Sequence, residues 1–388
     1  MRAACLVVLW IASTCACLPR AAPSTSGWAP ESLGLGRPAQ GEHPPLMGPA
    51  EVVRALEDSP VPYNLAPLQR MDPPALEQYA SELWPRSFEE IPFPAVRVES
   101  GGERRLEKYR VNAEADRLIA QAEPHFSQRR FEEAAALYRR ALKLQPDYYP
   151  ALLDLGDVAA LSGDPQGALQ HYERAIQVNP VDHRGHFLRG NALLDLGRVA
   201  PALDAYATAL ALRPRNPVML DAIEARQQKL GVRLVRDFFL PRGVIRPAAR
   251  GVDVLFDATR PHWVAWAACK GLWVGEARHR QEMTGAEEHR FTPVEEAECI
   301  GALLEAYLHE RASGDAEEEP ELERLGRIAA EGELPELILY DLASRRSPHA
   351  LLLLDDARRA KVERFVRHNA FEKQGPGVGP TYEVQRAR

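Results

Sequence analysis

The 388-residue chain lacks the long apolar runs that membrane-spanning helices require. No apolar segment reaches the length of about 18 residues at which a span becomes plausible, so a polytopic membrane protein is excluded. Hydrophobic residues still make up 45% of the chain, which is enough to build cores and excludes a wholly disordered protein. The formal charge of −7 argues against a dedicated nucleic-acid binder, and no nucleic-acid partner is expected.

The sequence also lacks the familiar motifs of catalysis and metal binding. It contains no His-Glu-x-x-His, no Gly-x-Ser-x-Gly, no phosphate-binding Gly-x-x-x-x-Gly-Lys-Ser/Thr and no pair of Cys-x-x-Cys motifs. His279 and His289 stand in a polar stretch and are interpreted as solvent-exposed loop residues. We therefore predict no enzyme, with no catalytic residue, no metal ligand and no cofactor.

The first residues have the order of a secretory signal peptide, because Arg2 is followed by a short apolar region and then by small residues. The exit from this region, Thr14-Cys15-Ala16-Cys17, resembles a bacterial lipoprotein box. That resemblance implies a signal peptide over 1–16, a lipid on Cys17 and, with Leu18 next, an outer-membrane lipoprotein that faces the periplasm or the cell surface. Ordinary cleavage near Ala22 and an unprocessed N-terminus remain alternatives, as does a buried N-terminal strand.

Proline is distributed unevenly, since 15 of the 32 prolines fall between residues 18 and 100. Residues 18–49 have almost no aliphatic periodicity, and such a composition cannot bury enough apolar area to offset its ordering entropy. We interpret 17–111 as a proline-rich tether with short helices near Glu51–Asp58 and Pro74–Leu83. It either spaces the folded part from a membrane or is a disordered leader without a specific use.

A period of 34 residues runs from 115 to 216. The recurring positions are Ala134/Ala168/Ala202, Tyr138/Tyr172/Tyr206, Ala141/Ala175/Ala209 and Pro146/Pro180/Pro214. The order Ala-x3-Tyr-x2-Ala-x4-Pro resembles the tetratricopeptide repeat, which has the same period. The resemblance implies pairs of antiparallel helices over 112–146, 147–180 and 181–214, followed by a closing helix over 217–231.

Small residues explain how the helices of a pair would approach each other. Gly156 and Gly190, with Ala122 in the first copy, stand at the position where the family usually has glycine. The next turn is marked by Gly163 and Gly197. Because one pair cannot bury its own apolar face, the copies are expected to stack into an array over 112–231.

By the same resemblance, the array binds a peptide or protein segment in a concave groove lined by the first helix of each unit. The groove positions carried over from the family are Ile119, Glu123, Phe126, Leu153, Asp157, Arg184, Phe187, Asn191 and Leu194. Only Asn191 and Arg184 are of the type that clamps a terminal carboxylate, so an apolar or basic segment would suit the groove better. Alternatively, the apolar positions are covered by this chain's own tether or C-terminal part.

After Gly231 the pattern changes to a mostly helical C-terminal domain over 232–373, with a loose tail over 374–388. Val232–Leu240 and Gly251–Asp257 could pair as a β-hairpin. The stripe Trp263, Trp266 and Trp273 is interpreted as core rather than as a ligand site. Cys269 and Cys299 form a possible disulfide, although two buried thiols are the favoured interpretation.

These observations predict a mainly α protein in which a tetratricopeptide array of three repeats and a closing helix precedes the C-terminal domain. The expected function is a non-catalytic scaffold or adaptor at the bacterial cell envelope, with a membrane contact only if Cys17 is acylated. One alternative resembles the pilotins that help outer-membrane complexes to assemble. Another is an envelope enzyme with its site in the C-terminal domain, where titratable residues would then face a cleft.

Overall fold

The computed structural model describes residues 44–86, 90–100, 102 and 104–373. Cys17 and the tail over 374–388 lie outside these residues. Within them, no helix combines the length and apolarity needed to cross a membrane. The chain forms two compact units: the repeat unit takes its residues from Phe88–Arg236 and Ser347–Arg388, and the second unit takes its residues from Met1–Ser87 and Asp237–Arg346.

The described residues are mainly helical. The helices, in chain order, are α1 (Pro49–Glu57), α2 (Pro73–Leu83), α3 (Ala113–Ser127), α4 (Phe131–Leu144), α5 (Tyr149–Leu161), α6 (Pro165–Val178), α7 (His183–Asp195), α8 (Val199–Leu212), α9 (Pro217–Glu224), α10 (Gln227–Leu230), α11 (Trp263–Gly275), α12 (Ala277–Thr284), α13 (Pro293–Ser313), α14 (Pro320–Ala330), α15 (Leu334–Leu337), α16 (Ser344–Arg346) and α17 (Asp356–Asn369). A π-helical segment (Ile338–Ala343) and a 3₁₀ helix (Ala350–Leu353) complete them. The strands are β1 (Tyr63–Pro67), β2 (Pro94–Val98), β3 (Arg104–Lys108), β4 (Val232–Leu234), β5 (Gly243–Pro247), β6 (Val252–Phe256) and β7 (Phe371–Lys373).

Three helical hairpins, α3/α4, α5/α6 and α7/α8, form the array at the predicted 34-residue spacing. Polar N-caps start several of these helices: the Asp164 side chain accepts a hydrogen bond from the Gly167 amide at 2.8 Å. Gly163 and Gly197 follow the first helices of the second and third hairpins with φ of +83° and +74°, where glycine is favoured. The predicted mainly α fold is confirmed.

The small residues act as the sequence predicts. A Cβ atom added at Gly156 would lie 2.2 Å from the Tyr172 ring, and one at Gly190 would lie 2.6 Å from the Tyr206 ring. Real Cβ atoms are not found at such separations from neighbouring atoms, so the tyrosine of the second helix occupies the space that a side chain would need. Each glycine therefore sets how closely the two helices of its hairpin approach.

Arg129 stands where Gly163 and Gly197 stand in the later copies, and its φ is +58°. A residue with a side chain is destabilised in this left-handed backbone conformation, whereas glycine adopts it at little cost. We expect Arg129→Gly to raise the free energy of unfolding by about 1 kcal/mol, as measured by urea denaturation. The reverse change, Gly163→Arg, should lower it; a loss of stability in Arg129→Gly would contradict the argument.

The predicted tether over 17–111 is wrong for its described part, which is folded into both units. In the second unit, Val52 on α1, Ala80 on α2 and Trp84 just after α2 are buried, each at most 2% exposed. In the repeat unit, β2 and β3 pair antiparallel, and Asn179 donates from Nδ2 to the Pro94 carbonyl at 3.0 Å. Pro49 and Pro73 stand at helix starts and Pro67 and Pro94 at strand ends, where proline is compatible with regular structure.

The closing part of the array also differs from the prediction. Residues 217–231 form α9 and α10 rather than one helix. The last array helix, α8, packs extensively against α17, where Arg367 donates to Asp204 at 2.6 Å and Phe365 is fully buried. The predicted domain over 232–373 is consequently divided, because its last helix completes the repeat unit.

The predicted pairing of Val232–Leu240 with Gly251–Asp257 is wrong, although β6, within the second segment, does belong to a β-hairpin. β6 pairs antiparallel with β5 and parallel with β1, giving the order β1-β6-β5. β4, which lies in the predicted first arm, pairs instead with β7 in the repeat unit. The short β5–β6 turn is closed by the Ala248 amide, which donates to the Gly251 carbonyl at 3.0 Å. A short link costs less closure entropy than a longer one, which favours β5 as the partner.

Candidate functional site

The predicted groove residues lie on α3, α5 and α7, the first helices of the three hairpins. They do not share one environment. Leu153 and Leu194 are 5% and 1% exposed and therefore belong to the core, so their prediction as accessible groove residues is wrong. Ile119, Phe126 and Phe187 are half-buried, and Glu123 is exposed. The apolar anchors are thus fewer than the sequence suggested.

The two residues of the carboxylate-clamp type are already engaged. Arg184 donates to Asp182, and its guanidinium lies 3.7 Å from the centre of the Phe93 ring. Asn191 accepts a hydrogen bond from the Tyr206 hydroxyl at 2.8 Å. Contacts within the repeat unit therefore hold both side chains.

A different part of the groove collects carboxylates. We call Glu123 on α3 with Asp154 and Asp157 on α5 the acidic site. Burial is the main cause that raises the pKa of Asp154 to about 7, and the charges of Asp157 and Glu123 raise it further. Burial also raises the pKa of Asp157, although the Tyr172 hydroxyl, which donates to Asp157 Oδ1 at 2.6 Å, opposes this.

Tyr138 on α4 lies close enough to the acidic site for its three carboxylates to influence the hydroxyl. Its side chain is 1% exposed, and burial together with the charges of Asp154, Glu123 and Asp157 raises the pKa of its hydroxyl. Within the described residues, neither the Tyr138 hydroxyl nor the Asp154 carboxylate has a hydrogen-bond or ion-pair partner. The acidic site thus holds three carboxylates and a phenol without a cation of its own.

The third hairpin gives a useful contrast. At the groove position of Asp157 it carries the neutral Asn191, and its nearby acid, Asp195, is paired with Lys229 at 3.0 Å. The third hairpin thus has no counterpart of the acidic site, because a neutral amide replaces one acid and a lysine pairs with the other. This makes the acidic site, rather than the whole groove, the candidate for recognition.

Sequence reasoning missed Asp154 although it identified its neighbours Glu123 and Asp157. The available signal was the spacing of three residues between Asp154 and Asp157, which places both carboxylates on one face of a helix. The period of 34 pairs Asp154 with Ala120 and Leu188, so no repeated column marked it. Its strong desolvation depends on the packing of α3, α4 and α5 and could not be read from the sequence.

The raised pKa of Asp154 predicts a pH-dependent stability difference. The folded carboxyl titrates near 7 and an unfolded one near 3.9, so the folded state binds more protons between these values and loses stability as the pH rises through them. We expect Asp154→Asn to be about 1–3 kcal/mol more stable than the wild type at about pH 8 and nearly equal to it at about pH 4.

Urea denaturation across this pH range measures the difference. Asp195→Asn is the matched control, because that exposed, ion-paired carboxylate should change stability by no more than about 0.5 kcal/mol. A stability difference between Asp154→Asn and the wild type that did not vary with pH would contradict the desolvation of Asp154.

The second unit contains a cluster of titratable groups, but it is enclosed. Lys270 on α11 pairs with Glu295 and, at 2.8 Å, with Glu296 on α13, and all three are at most 4% exposed. The indole of Trp84 donates to Glu296 at 2.8 Å. Such a core differs from the open, cleft-facing cluster that the enzyme alternative required, and it is better explained as a structural ion-pair network.

His279 is not the exposed loop residue that the sequence predicted, whereas His289 is exposed and lies outside any helix or strand, as predicted. His279 lies on α12, where Nε2 is 2.9 Å from the buried carboxylate of Glu298 and the ring packs against Trp273. His289 contacts Glu295 at 3.1 Å. Through Glu295, His289 thus extends the network around Lys270. No group of three or more His, Cys, Asp or Glu among the described residues has a metal-holding arrangement.

The aromatic stripe and the cysteines are also structural features of the second unit. Trp263, Trp266 and Trp273 are at most 2% exposed, as expected for core residues. Cys269 and Cys299 are joined in a disulfide between α11 and α13, with their Cα atoms 5.3 Å apart. The sequence left this pairing open and favoured two thiols; the structure has the disulfide.

Comparison with known proteins supports the repeat. Two overlapping stretches, residues 119–177 and 162–217, match the family model of the tetratricopeptide repeat. The tetratricopeptide repeats predicted from the sequence are thereby confirmed. Arrays of this kind present extended concave surfaces that mediate protein–protein interaction.

Two curated relatives each resemble about a quarter of the chain or less. An Hsp70-Hsp90 organizing protein of Triticum aestivum is 33% identical over 102 residues, which cover 26% of this chain and 18% of that protein. A UDP-N-acetylglucosamine–peptide N-acetylglucosaminyltransferase of Giardia intestinalis is 31% identical over 77 residues, which cover 20% of this chain and 5% of that protein. The chain thus spans less than a fifth of the length of either relative.

Solved structures match about a third of the chain. The first tetratricopeptide domain of Spaghetti (RPAP3), bound to the HSP90 peptide SRMEEVD, is 20% identical and covers 31% of this chain and 96% of its own, with a TM-score of 0.29. The Yersinia enterocolitica type III secretion chaperone SycD, in complex with a peptide of the translocator YopD, is 18% identical and covers 31% of this chain and 91% of its own, with a TM-score of 0.29.

Proposed function

We propose that this protein is a non-catalytic scaffold or adaptor that binds a segment of a protein partner in the groove of its tetratricopeptide array. The observation that carries the proposal is the lining of the groove, where the half-buried Ile119 and Phe126 lie on the same helix as the exposed Glu123. Apolar anchors with charged neighbours are a common composition of protein-binding surfaces. The enclosed network around Lys270 gives no support to an enzymatic alternative.

Site-specific photocrosslinking tests the groove. A benzoylphenylalanine placed at Glu123, in the groove, is expected to crosslink a partner in cells, whereas the same group at Glu132 on α4 should not. Both positions are exposed and acidic, so the two variants differ mainly in the face of the hairpin that they report on. The same products from both positions, or none from Glu123, would count against a groove-bound partner.

We further propose that the protein works at the bacterial cell envelope and is anchored there by a lipid on Cys17. The support is the N-terminal sequence alone: a short apolar region after Arg2 and the box Thr14-Cys15-Ala16-Cys17. A disulfide between Cys269 and Cys299 is compatible with an oxidising compartment.

Labelling with a clickable fatty acid tests the anchor. The wild type should incorporate the label and pellet with membranes, and Cys17→Ser should do neither. Cys5→Ser is the matched control, because it removes a cysteine from the predicted signal peptide and should leave labelling unchanged. Equal labelling of the wild type and Cys17→Ser would remove the lipoprotein proposal without affecting the groove.

A further inference from the structure

We propose that the acidic site binds a lysine or arginine side chain of the partner segment, so that the partner is recognised by a cation set among apolar residues. This inference rests on the groove function proposed above and specifies its chemistry. Its basis is that Asp154 and Asp157 lie three residues apart on one face of α5, beside Glu123 on α3 and the buried Tyr138 on α4.

The acidic site has three carboxylates but no positive charge beside them within the described residues. Asp154 is desolvated by its surroundings, yet within the described residues it has neither an ion pair nor a hydrogen bond. A carboxylate in this position is unfavourable by itself, and an opposite charge within a few ångströms would stabilise it. A core residue at this point of the helix would be apolar, so the acid has no evident structural purpose.

The Tyr138 hydroxyl also points to a ligand, independently of the three acids. Tyr138 is 1% exposed, and its hydroxyl has no partner within the described part of the chain, although its equivalents Tyr172 and Tyr206 donate to Asp157 and Asn191. An ammonium or guanidinium held between the carboxylates would donate to the Tyr138 oxygen, which satisfies the phenol as well.

The charges and apolar residues of the groove favour one kind of ligand over two others. A carboxylate-ended peptide would be repelled by three acids, and the clamp-type residue Arg184 is bound to Asp182. A wholly apolar segment would cover Asp154 and the Tyr138 hydroxyl without offering either of them a hydrogen bond. A long side chain with an apolar stem and a charged head matches both parts of the groove, because its stem can lie along Ile119 and Phe126 while its head reaches the acids.

The experiment selects peptides without assuming a partner. A phage library of random dodecapeptides is panned on the full chain, and the Kd of the leading peptide is measured by fluorescence anisotropy for the wild type, Asp154→Asn, Glu123→Gln and the control Glu132→Gln. We expect a lysine or arginine at one fixed position, and a loss of about tenfold or more in affinity when it is changed to glutamine. Asp154→Asn and Glu123→Gln should lose a similar factor, and Glu132→Gln should lose none.

The pH dependence supplies a second readout. Affinity of the wild type is expected to rise between about pH 6 and pH 8 as Asp154 ionises, whereas Asp154→Asn should show no such rise. Asp157, Glu123, Tyr138 and Tyr172 face the same point and remain in the variant, so they provide the background for the comparison.

The outcomes separate the two proposals. Enriched peptides that have no conserved cation, or that keep their affinity for Asp154→Asn, overturn the cation site while the groove function stands. If no peptide binds the wild type, both the cation site and the groove function are overturned. A conserved cation whose loss costs the same affinity in the wild type and in Asp154→Asn also overturns the assignment, because it places the contact elsewhere.

Discussion

Gly156→Ala is expected to lower the free energy of unfolding of the repeat unit by about 3 kcal/mol or more, because its new Cβ would lie 2.2 Å from the Tyr172 ring. The ring has little room to retreat, since Tyr172 is 2% exposed and its hydroxyl is bonded to Asp157. The helices α5 and α6 would have to separate, which would also disturb the acidic site. Urea denaturation followed by circular dichroism measures the loss.

Gly326→Ala is the matched control for this substitution. Gly326 lies inside α14, and a Cβ atom there would meet only Leu304, at 3.9 Å. Alanine favours helix over glycine, so this variant should gain up to about 1 kcal/mol. A loss in Gly156→Ala no larger than the ordinary effect of a helix substitution would show that the tight contact with Tyr172 does not hold the hairpin together.

Lys270→Met is the second substitution with a large expected effect. It removes the buried cation that lies between Glu295 and Glu296 and leaves two carboxylates close together in the core. Breaking a buried ion pair in this way typically costs about 3–5 kcal/mol. The loss should be smaller at low pH, because protonation of the two carboxylates removes the uncompensated charge.

The control for Lys270→Met is Arg278→Ala. Arg278 is exposed and pairs with Glu282 one helical turn away, so its loss should change stability by about 0.5 kcal/mol or less. The triple change Lys270→Met with Glu295→Gln and Glu296→Gln should recover part of the loss at neutral pH. If Lys270→Met behaved like Arg278→Ala, the network would not contribute to stability as described.

The local rules of the array could be predicted from the sequence. The tyrosines at 138, 172 and 206 and the prolines at 146, 180 and 214 gave the period, and the structure has its helices at that period. Gly156 and Gly190 were assigned to close helix contacts, which their distances to Tyr172 and Tyr206 confirm. These features depend on neighbours within one hairpin, where sequence spacing and spatial proximity coincide.

Proline was the misleading signal in the N-terminal part. A high density of proline favoured a tether, but Pro49 and Pro73 start helices and Pro67 and Pro94 stand at strand ends. In those positions proline stabilises or tolerates structure rather than preventing it. Whether this part of the chain folds depends on elements far along the sequence. Strand β1 pairs with β6, in which Val252, the partner of Tyr63, lies almost 190 residues further on.

By itself, therefore, the sequence determined the repeat, its glycine turns and the small residues between paired helices. The tertiary structure decided that α17 covers α8, that Leu153 and Leu194 are core, and that Asp154 stands desolvated beside Asp157 and Glu123. The physical reason is that turns and helix spacing follow from nearby residues. Burial and electrostatic environment depend on elements that the chain brings together from far apart.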